Sequence, residues 1–365
     1  MAGCDCPHEN MLDSFDVNKH KKAIEALFPR ALPESVFIDH MTKVLETQGF
    51  TPETAINLVS SCRDEICRSF TDCLDAKWGP SFNISSLAGM IFCGKTAFKA
   101  AMSHSPLVNG KERYVFWVAP HIALSPQNEI GKCWRPGRTS VSSACGALLA
   151  LLGELKGKSV NVKPDPNDLE MIMLKQNVMS HLPQGDGAQE ITLTQLTYAV
   201  HECILEDVRR TAAASTNLDM CEYVIISGIQ VHCGFSETFW WPGSVTKYTK
   251  NNVEDLCVDF TSGSVARDAD EFFLSQHLKT LHTKHDFAMA SPRHITQAAM
   301  KGTSMDKLSS SYPVSEAYVR PAKSGHGHTK TPSSKIPPRS TKTSSSFNVD
   351  SVTKSSIRSV AAQAL

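Results

Sequence analysis

Cys62, His121 and Cys145 have the side chains best suited to reactive metal chemistry in this sequence. Two thiolates and an imidazole give zinc three protein ligands and leave one position for water, the arrangement that catalytic zinc requires. Their intervals are far wider than those of a zinc finger, so spacing alone leaves the triad as one option among several. Most of the twelve cysteines read instead as small buried apolar residues. The segment Cys62-Arg63-Asp64-Glu65-Ile66-Cys67-Arg68 adds a second feature. On a helix, Asp64 and Arg68 stand four residues apart on one face, within reach of a carboxylate–guanidinium pair. Taken alone this is a surface ion pair. Beside a zinc-bound water, Asp64 would accept the hydroxide's hydrogen bond while Arg68 keeps the carboxylate off the metal.

These residues must be delivered by elements far apart in the chain. Lys19 to Leu27 and Glu34 to Gln48 carry apolar residues at helical spacing, so two amphipathic helices lead the domain. Thr51-Pro52-Glu53-Thr54 looks like a helix start, and a helical pattern with a break near Ser60 and Ser61 runs to Trp78, which puts Cys62 near a helix beginning. Arg113 to Ala119 is a β-branched and aromatic run closed by Pro120, so His121 lies just past a buried strand. Ala144 to Leu155 reads as a buried helix with Cys145 in its first turn, Thr194 to Ala214 as another helix, and Glu222 to Val231 as a strand. Alternating strands and helices predict an α/β fold with a mostly parallel central sheet flanked by helices.

Composition narrows the function classes. Lys and Arg total 37, matched by 37 Asp and Glu, so no net charge favours nucleic acid or an anionic membrane surface. No apolar run approaches the roughly 18 residues of a membrane span. The first twenty residues include Asp5, Glu9, Asp13 and Asp16 and no apolar core, which argues against a secretory signal or transit peptide and for a cytoplasmic chain with reduced thiols. Residues 1–18 read as a flexible N-terminus and 19–290 as one zinc domain. Residues 291–365, rich in Ser, Thr, Lys and Pro, read as a mostly disordered tail whose few apolar residues cannot offset the entropy of ordering.

Several ordered segments resemble the family of limiting-CO2-inducible proteins B and C, β-carbonic-anhydrase-like proteins sometimes called θ-class. These are Cys62 to Arg68 as Cys-x-Asp-Glu-x-x-Arg; Leu87-Ala88-Gly89 with Gly94-Lys95-Thr96-Ala97-Phe98; Ala119-Pro120-His121-Ile122-Ala123; Gly131 with Arg135 and Gly137; Ala144-Cys145-Gly146-Ala147; and Ser227 to Val231. The similarity spans roughly residues 20 to 260. It implies the β-carbonic-anhydrase-like fold, zinc on Cys62, His121 and Cys145, an Asp64–Arg68 dyad, a homodimer, and reversible hydration of CO2 to bicarbonate. Ala119 stands where many relatives have Gly, Cys93 lies in a usually Gly-rich loop, and Phe239-Trp240-Trp241 is unusually aromatic. The competing readings are a catalytically silent CO2 or bicarbonate sensor or complex partner in inorganic-carbon handling, and a different zinc hydrolase.

The other candidates have plainer readings. His104 suits either a proton shuttle at the pocket rim or a hydrogen-bonded structural role. Cys4, Cys6 and His8 form a chelate-like cluster of incidental kind, Cys67 and Cys73 face the core, and His201 is structural. His232-Cys233 reaches a sheet end near the site, where Cys233 as a fourth protein donor would close the zinc. Phe239-Trp240-Trp241 and Phe272-Phe273 read as core or dimer contact.

Overall fold

The computed structural model describes residues 17–135, 140–183, 185–233 and 238–261, with Val265 and Ala269. The expected flexible terminus through residue 16, Phe272-Phe273 and the tail from residue 291 lie outside the described residues.

The chain opens with helix α1 (Val17–Leu27), strand β1 (Leu32–Pro33) and helix α2 (Glu34–Thr47), followed by β2 (Ile56–Ser60). A 3-10 turn, Glu65–Cys67, leads into α3 (Arg68–Trp78), and then come β3 (Phe82–Asn83), α4 (Gly94–Met102), β4 (Leu107–Val108) and β5 (Lys111–Val118). Pro120, which has no amide to donate, separates β5 from β6 (His121–Leu124). A small β7 (Lys132–Cys133) and β8 (Ser142–Ser143) ladder precedes three helices: α5 (Gly146–Lys156), α6 (Leu169–Val178) and α7 (Leu193–Ser215). Strands β9 (Cys221–Cys233), β10 (Thr238–Tyr248) and β11 (Val253–Asp255) finish the described part.

The main sheet runs in the order β1-β10-β9-β5-β2-β3. Its centre is parallel: β3, β2, β5 and β9 all run one way, and β6 adds alongside β9. Antiparallel strands β10, β1 and β11 extend one side, and β4 pairs antiparallel with β5. The sheet is therefore parallel where the site is built and antiparallel toward the last of the described strands.

Strand alternation splits the core in two. Val115, Trp117, Val224 and Ile226 face α2 and α3, which bury Phe37, Ile38, Met41 and Leu45 and, one turn apart, Phe70, Leu74 and Trp78. Tyr114, Phe116, Val118 and Ile225 face the other side, against Phe98 of α4, Leu148 and Leu151 of α5 and Leu196 and Val200 of α7. Each such fully buried side chain stabilises the fold by about 2 kcal/mol in area terms. Helix α7 starts at a capping box between Thr192 and Gln195.

The helical pattern expected across Thr51 to Trp78 is corrected: Ile56–Ser60 is a strand and the α-helix begins only at Arg68. Apolar Ile56, Leu58 and Val59 fit either period over so short a run, and pairing with β5 decides it. Cys62 consequently follows a strand end instead of opening a helix.

Gly89 shows how tightly the chain is drawn in beside the site. It adopts φ of +82°, and a Cβ there would collide with the carbonyl oxygen of Ala119, two residues before His121. Ser60 Oγ donates to the Gly89 carbonyl at 2.9 Å, fixing this crossing to the end of β2. Gly89→Ala is expected to cost at least about 2 kcal/mol of stability, measured by chemical denaturation.

Candidate metal centre

Parallel strands bring the expected ligands together at their carboxyl ends, the usual place for a site in an open α/β sheet. Cys62 lies two residues past β2, His121 opens β6 beside Gln230 of β9, and Cys145 is the N-cap residue of α5. Their donor atoms all lie within 4.8 Å of one another, and all three residues are buried. The two sulfurs are 3.8 Å apart.

The chemistry of the donor set fits zinc. Two thiols and an imidazole are its preferred ligands, and both ring nitrogens of His121 are buried without a hydrogen-bond partner. A buried imidazole with two idle nitrogens is an uncompensated loss of hydration, which a metal bond to one nitrogen explains. The hydrogen bond from Cys145, the His121 ring and a backbone amide hold the Cys62 thiol far below its usual range, and Cys145 is pushed up in turn. The free amides at the start of α5 face Cys145 and favour a thiolate there.

Asp64 is placed differently from the sequence expectation. It caps the 3-10 turn, accepting from the Ile66 amide at 3.3 Å, so it precedes the helix that Arg68 begins and the two do not share a helical face. Arg68 is 79% exposed and pairs with Asp72 at 3.4 Å. Arg135 meets Asp64 instead, with Nη1 to Oδ1 at 2.8 Å and Nη2 to Oδ2 at 3.0 Å. Arg135 is itself fixed: Nε donates to Ser142 Oγ at 2.7 Å, Nη2 to the Ser143 carbonyl at 3.1 Å and Nη1 to Glu65 at 2.5 Å. Burial tends to raise the Asp64 carboxyl, but the Arg135 fork overrides it and holds it down at about 2. Asp64 is thus a fixed carboxylate two residues from Cys62, facing a cleft of about 740 Å³ lined by Ser61, Cys62, Asp64 and Cys67, with Arg68 on its wall but turned to Asp72.

Three further polar side chains are buried: His232, Gln230 and Glu34. His232 Nε2 is 3.5 Å from Cys67 Sγ, and its Nδ1 is 3.0 Å from Thr238 Oγ1. Gln230, opposite His121 in the ladder, is fully buried, and neither atom of its amide has a partner. Glu34, the first residue of α2, is also buried. Burial pushes its carboxyl up to about 8 against a hydrogen bond from Ser69, and its Oε2 has no partner.

Glu34 gives a pH prediction. The folded chain keeps this proton up to about pH 8, whereas the unfolded chain releases it near the ordinary carboxyl value of 4.5. Folding stability therefore falls as pH rises through that window and is lowest above it, at a slope on the order of 1 kcal/mol per pH unit. Glu34→Gln is expected to flatten that slope and stabilise the chain at about pH 8, read from denaturation midpoints across the range.

The remaining candidates separate from the centre. His104 stacks on Phe82 and lines a distinct cleft of about 460 Å³ with Pro52 and Trp78, near the start of β2. His201 bonds Glu202 at 3.1 Å and packs edge-on to Trp241. Cys233 belongs to no donor cluster among the described residues, and its neighbour His232 is the one that reaches the site. Phe239 and Trp240 are core residues, Trp240 stacked on Phe37 and Phe70.

An α/β protein with a Cys-His-Cys donor set at the carboxyl ends of a parallel sheet is of the β-carbonic-anhydrase-like class. The chain belongs to the family of limiting CO2-inducible proteins B/C β-carbonic anhydrases, whose pattern it matches over residues 31–259. Among solved structures, it is 27% identical to limiting CO2-inducible protein LCIB, over 64% of this chain and 96% of that one, with a TM-score of 0.53. PtLCIB4, a homolog of LCIB, is 19% identical over 65% of this chain and 99% of that one, with a TM-score of 0.55. A point variant of PtLCIB4 gives 20% identity, coverage of 66% and 99%, and a TM-score of 0.56. The likeness to PtLCIB4 and its variant speaks to the fold. No curated protein shows a significant match. No helix among the described residues is long and apolar enough to cross a membrane.

Proposed function

We propose that this chain catalyses the reversible hydration of CO2 to bicarbonate, with zinc held by Cys62, His121 and Cys145. The observation that carries the reading is the pairing of a buried Cys-His-Cys donor set with a carboxylate, Asp64, whose two oxygens are both tied to Arg135. Zinc, when bound, supplies the Lewis acidity that makes a coordinated water acidic near neutral pH. The protein's part is to fix, orient and exclude. Arg135 keeps the Asp64 oxygens facing it, which prevents the carboxylate from becoming a further ligand and leaves its remaining lone pairs to accept a proton-bearing oxygen. Arg135 thereby takes the role the sequence assigned to Arg68, and Asp64 keeps its own. Burial of Cys62, His121 and Cys145 limits the water around the donors. CO2 plus water gives bicarbonate plus one proton, which leaves through the cleft beside Cys62 to buffer.

The family resemblance extends the reading to a homodimer, checked by light scattering in solution. The catalytic assignment is tested by Asp64→Asn. It keeps the shape but loses the anionic acceptor, so hydration should fall roughly 10- to 100-fold with zinc content unchanged. Full activity in that variant removes Asp64 from the mechanism.

A further inference from the structure

A second group of metal-donor side chains lies beside the first and has no part in the hydration reading. The Cys67 sulfur and one ring nitrogen each of His121 and His232 lie within 4.8 Å of one another, and all three residues are buried. His232 is oriented for ligation: Thr238 Oγ1 engages Nδ1 at 3.0 Å, which leaves Nε2 aimed at Cys67 Sγ, 3.5 Å away. Metal-binding histidines are commonly held in this way, one nitrogen on a fixed oxygen and the other on the ion. Cys67 ends the 3-10 turn and is the N-cap residue of α3, which holds its sulfur at the start of that helix. His121 joins the groups. Its two ring nitrogens are both buried and both unpartnered, and its ring lies edge-on to His232 with centroids 5.2 Å apart. A single metal at Cys62, His121 and Cys145 uses one of those nitrogens and leaves the other without a partner.

We propose that Cys67, His121 and His232 form a second metal position that takes a thiophilic divalent cation such as zinc or cadmium and is linked to the first through the His121 ring, which bridges as an imidazolate after its N–H proton passes to buffer on loading. The proposal rests on the first centre only in sharing His121. The donor set of one thiolate and two imidazoles suits the same soft or borderline ions as the first set and disfavours calcium and magnesium. Cys67 and His232 come from the α3 side and from the end of β9, so the position also ties the 3-10 turn to the sheet.

The test uses the full chain, stripped of metal under reducing conditions, loaded with cadmium and freed of unbound ion. Two cadmium ions per chain are expected, with two cadmium NMR resonances, one from a site with two sulfurs and one from a site with a single sulfur. Cys67→Ser and His232→Gln should each reduce the count from two to one and remove the single-sulfur resonance. Cys62→Ser should remove the two-sulfur resonance. One ion in the unaltered chain, retained in Cys67→Ser, overturns the second position and leaves a plain thiol–imidazole hydrogen bond. An ion lost in Cys67→Ser but not in Cys62→Ser contradicts the first centre while sustaining the second.

Discussion

Arg135→Ala is expected to lower CO2 hydration roughly 10- to 100-fold, whereas Arg68→Ala should leave it within about twofold. Only the first removes a buried partner. Arg135 is 13% exposed and holds Asp64 with two parallel hydrogen bonds, a geometry stronger and more directional than a single contact. Without it, the half-buried Asp64 carboxylate loses the group that keeps it ionised and aimed, and it is free to turn toward a cation nearby. Arg68 holds Asp72 in an exposed i,i+4 pair of the kind that contributes a few tenths of a kcal/mol. Arg135→Lys separates charge from shape. It preserves the cation but not the fork, and should recover only a small part of the rate. Equal losses in Arg68→Ala and Arg135→Ala would contradict this assignment.

Cys145→Ser carries the largest effect on metal content. A serine hydroxyl stays protonated near neutral pH and is a poor zinc ligand, so the site would keep one thiolate and one imidazole. Bound zinc should fall from about one ion at the first centre to a small fraction of that, and hydration should fall with it. The fold should persist, because Cys145 is one N-cap residue at the end of a helix anchored by Leu148, Leu151 and Leu155. Metal analysis and circular dichroism on one sample separate a lost ligand from a lost structure.

The same residues show what the sequence could and could not reveal. The run Arg113 to Ala119 and the strand at Glu222 were legible because β-branched and aromatic residues cluster there, and α7 because its apolar period persists over 23 residues. That Cys62, His121 and Cys145 could meet as one donor group was legible through the local motifs around each member, and the structure brings the three together. The partner of Asp64 was not. Arg68 is four residues from Asp64 and looks right under a helical reading, but the segment is a capped 3-10 turn, and the true partner arrives from a loop 71 positions on. Nothing local announces such a pair, although Arg135 stood within a matching segment. Cys67 and His232 are 165 residues apart, and only the parallel register of β6 on β9 brings them together with His121. Ile56–Ser60 was missed because five residues are too few to distinguish a strand from a helix turn.

Stopped-flow CO2 hydration on the purified, zinc-loaded chain, with zinc measured on the same sample and Cys145→Ser alongside, tests the central claim most directly. Fast hydration that disappears with the zinc in Cys145→Ser is the predicted result. Full zinc without hydration would contradict the enzyme and favour a silent sensor or complex partner, and absence of zinc at Cys62, His121 and Cys145 would undo the centre itself.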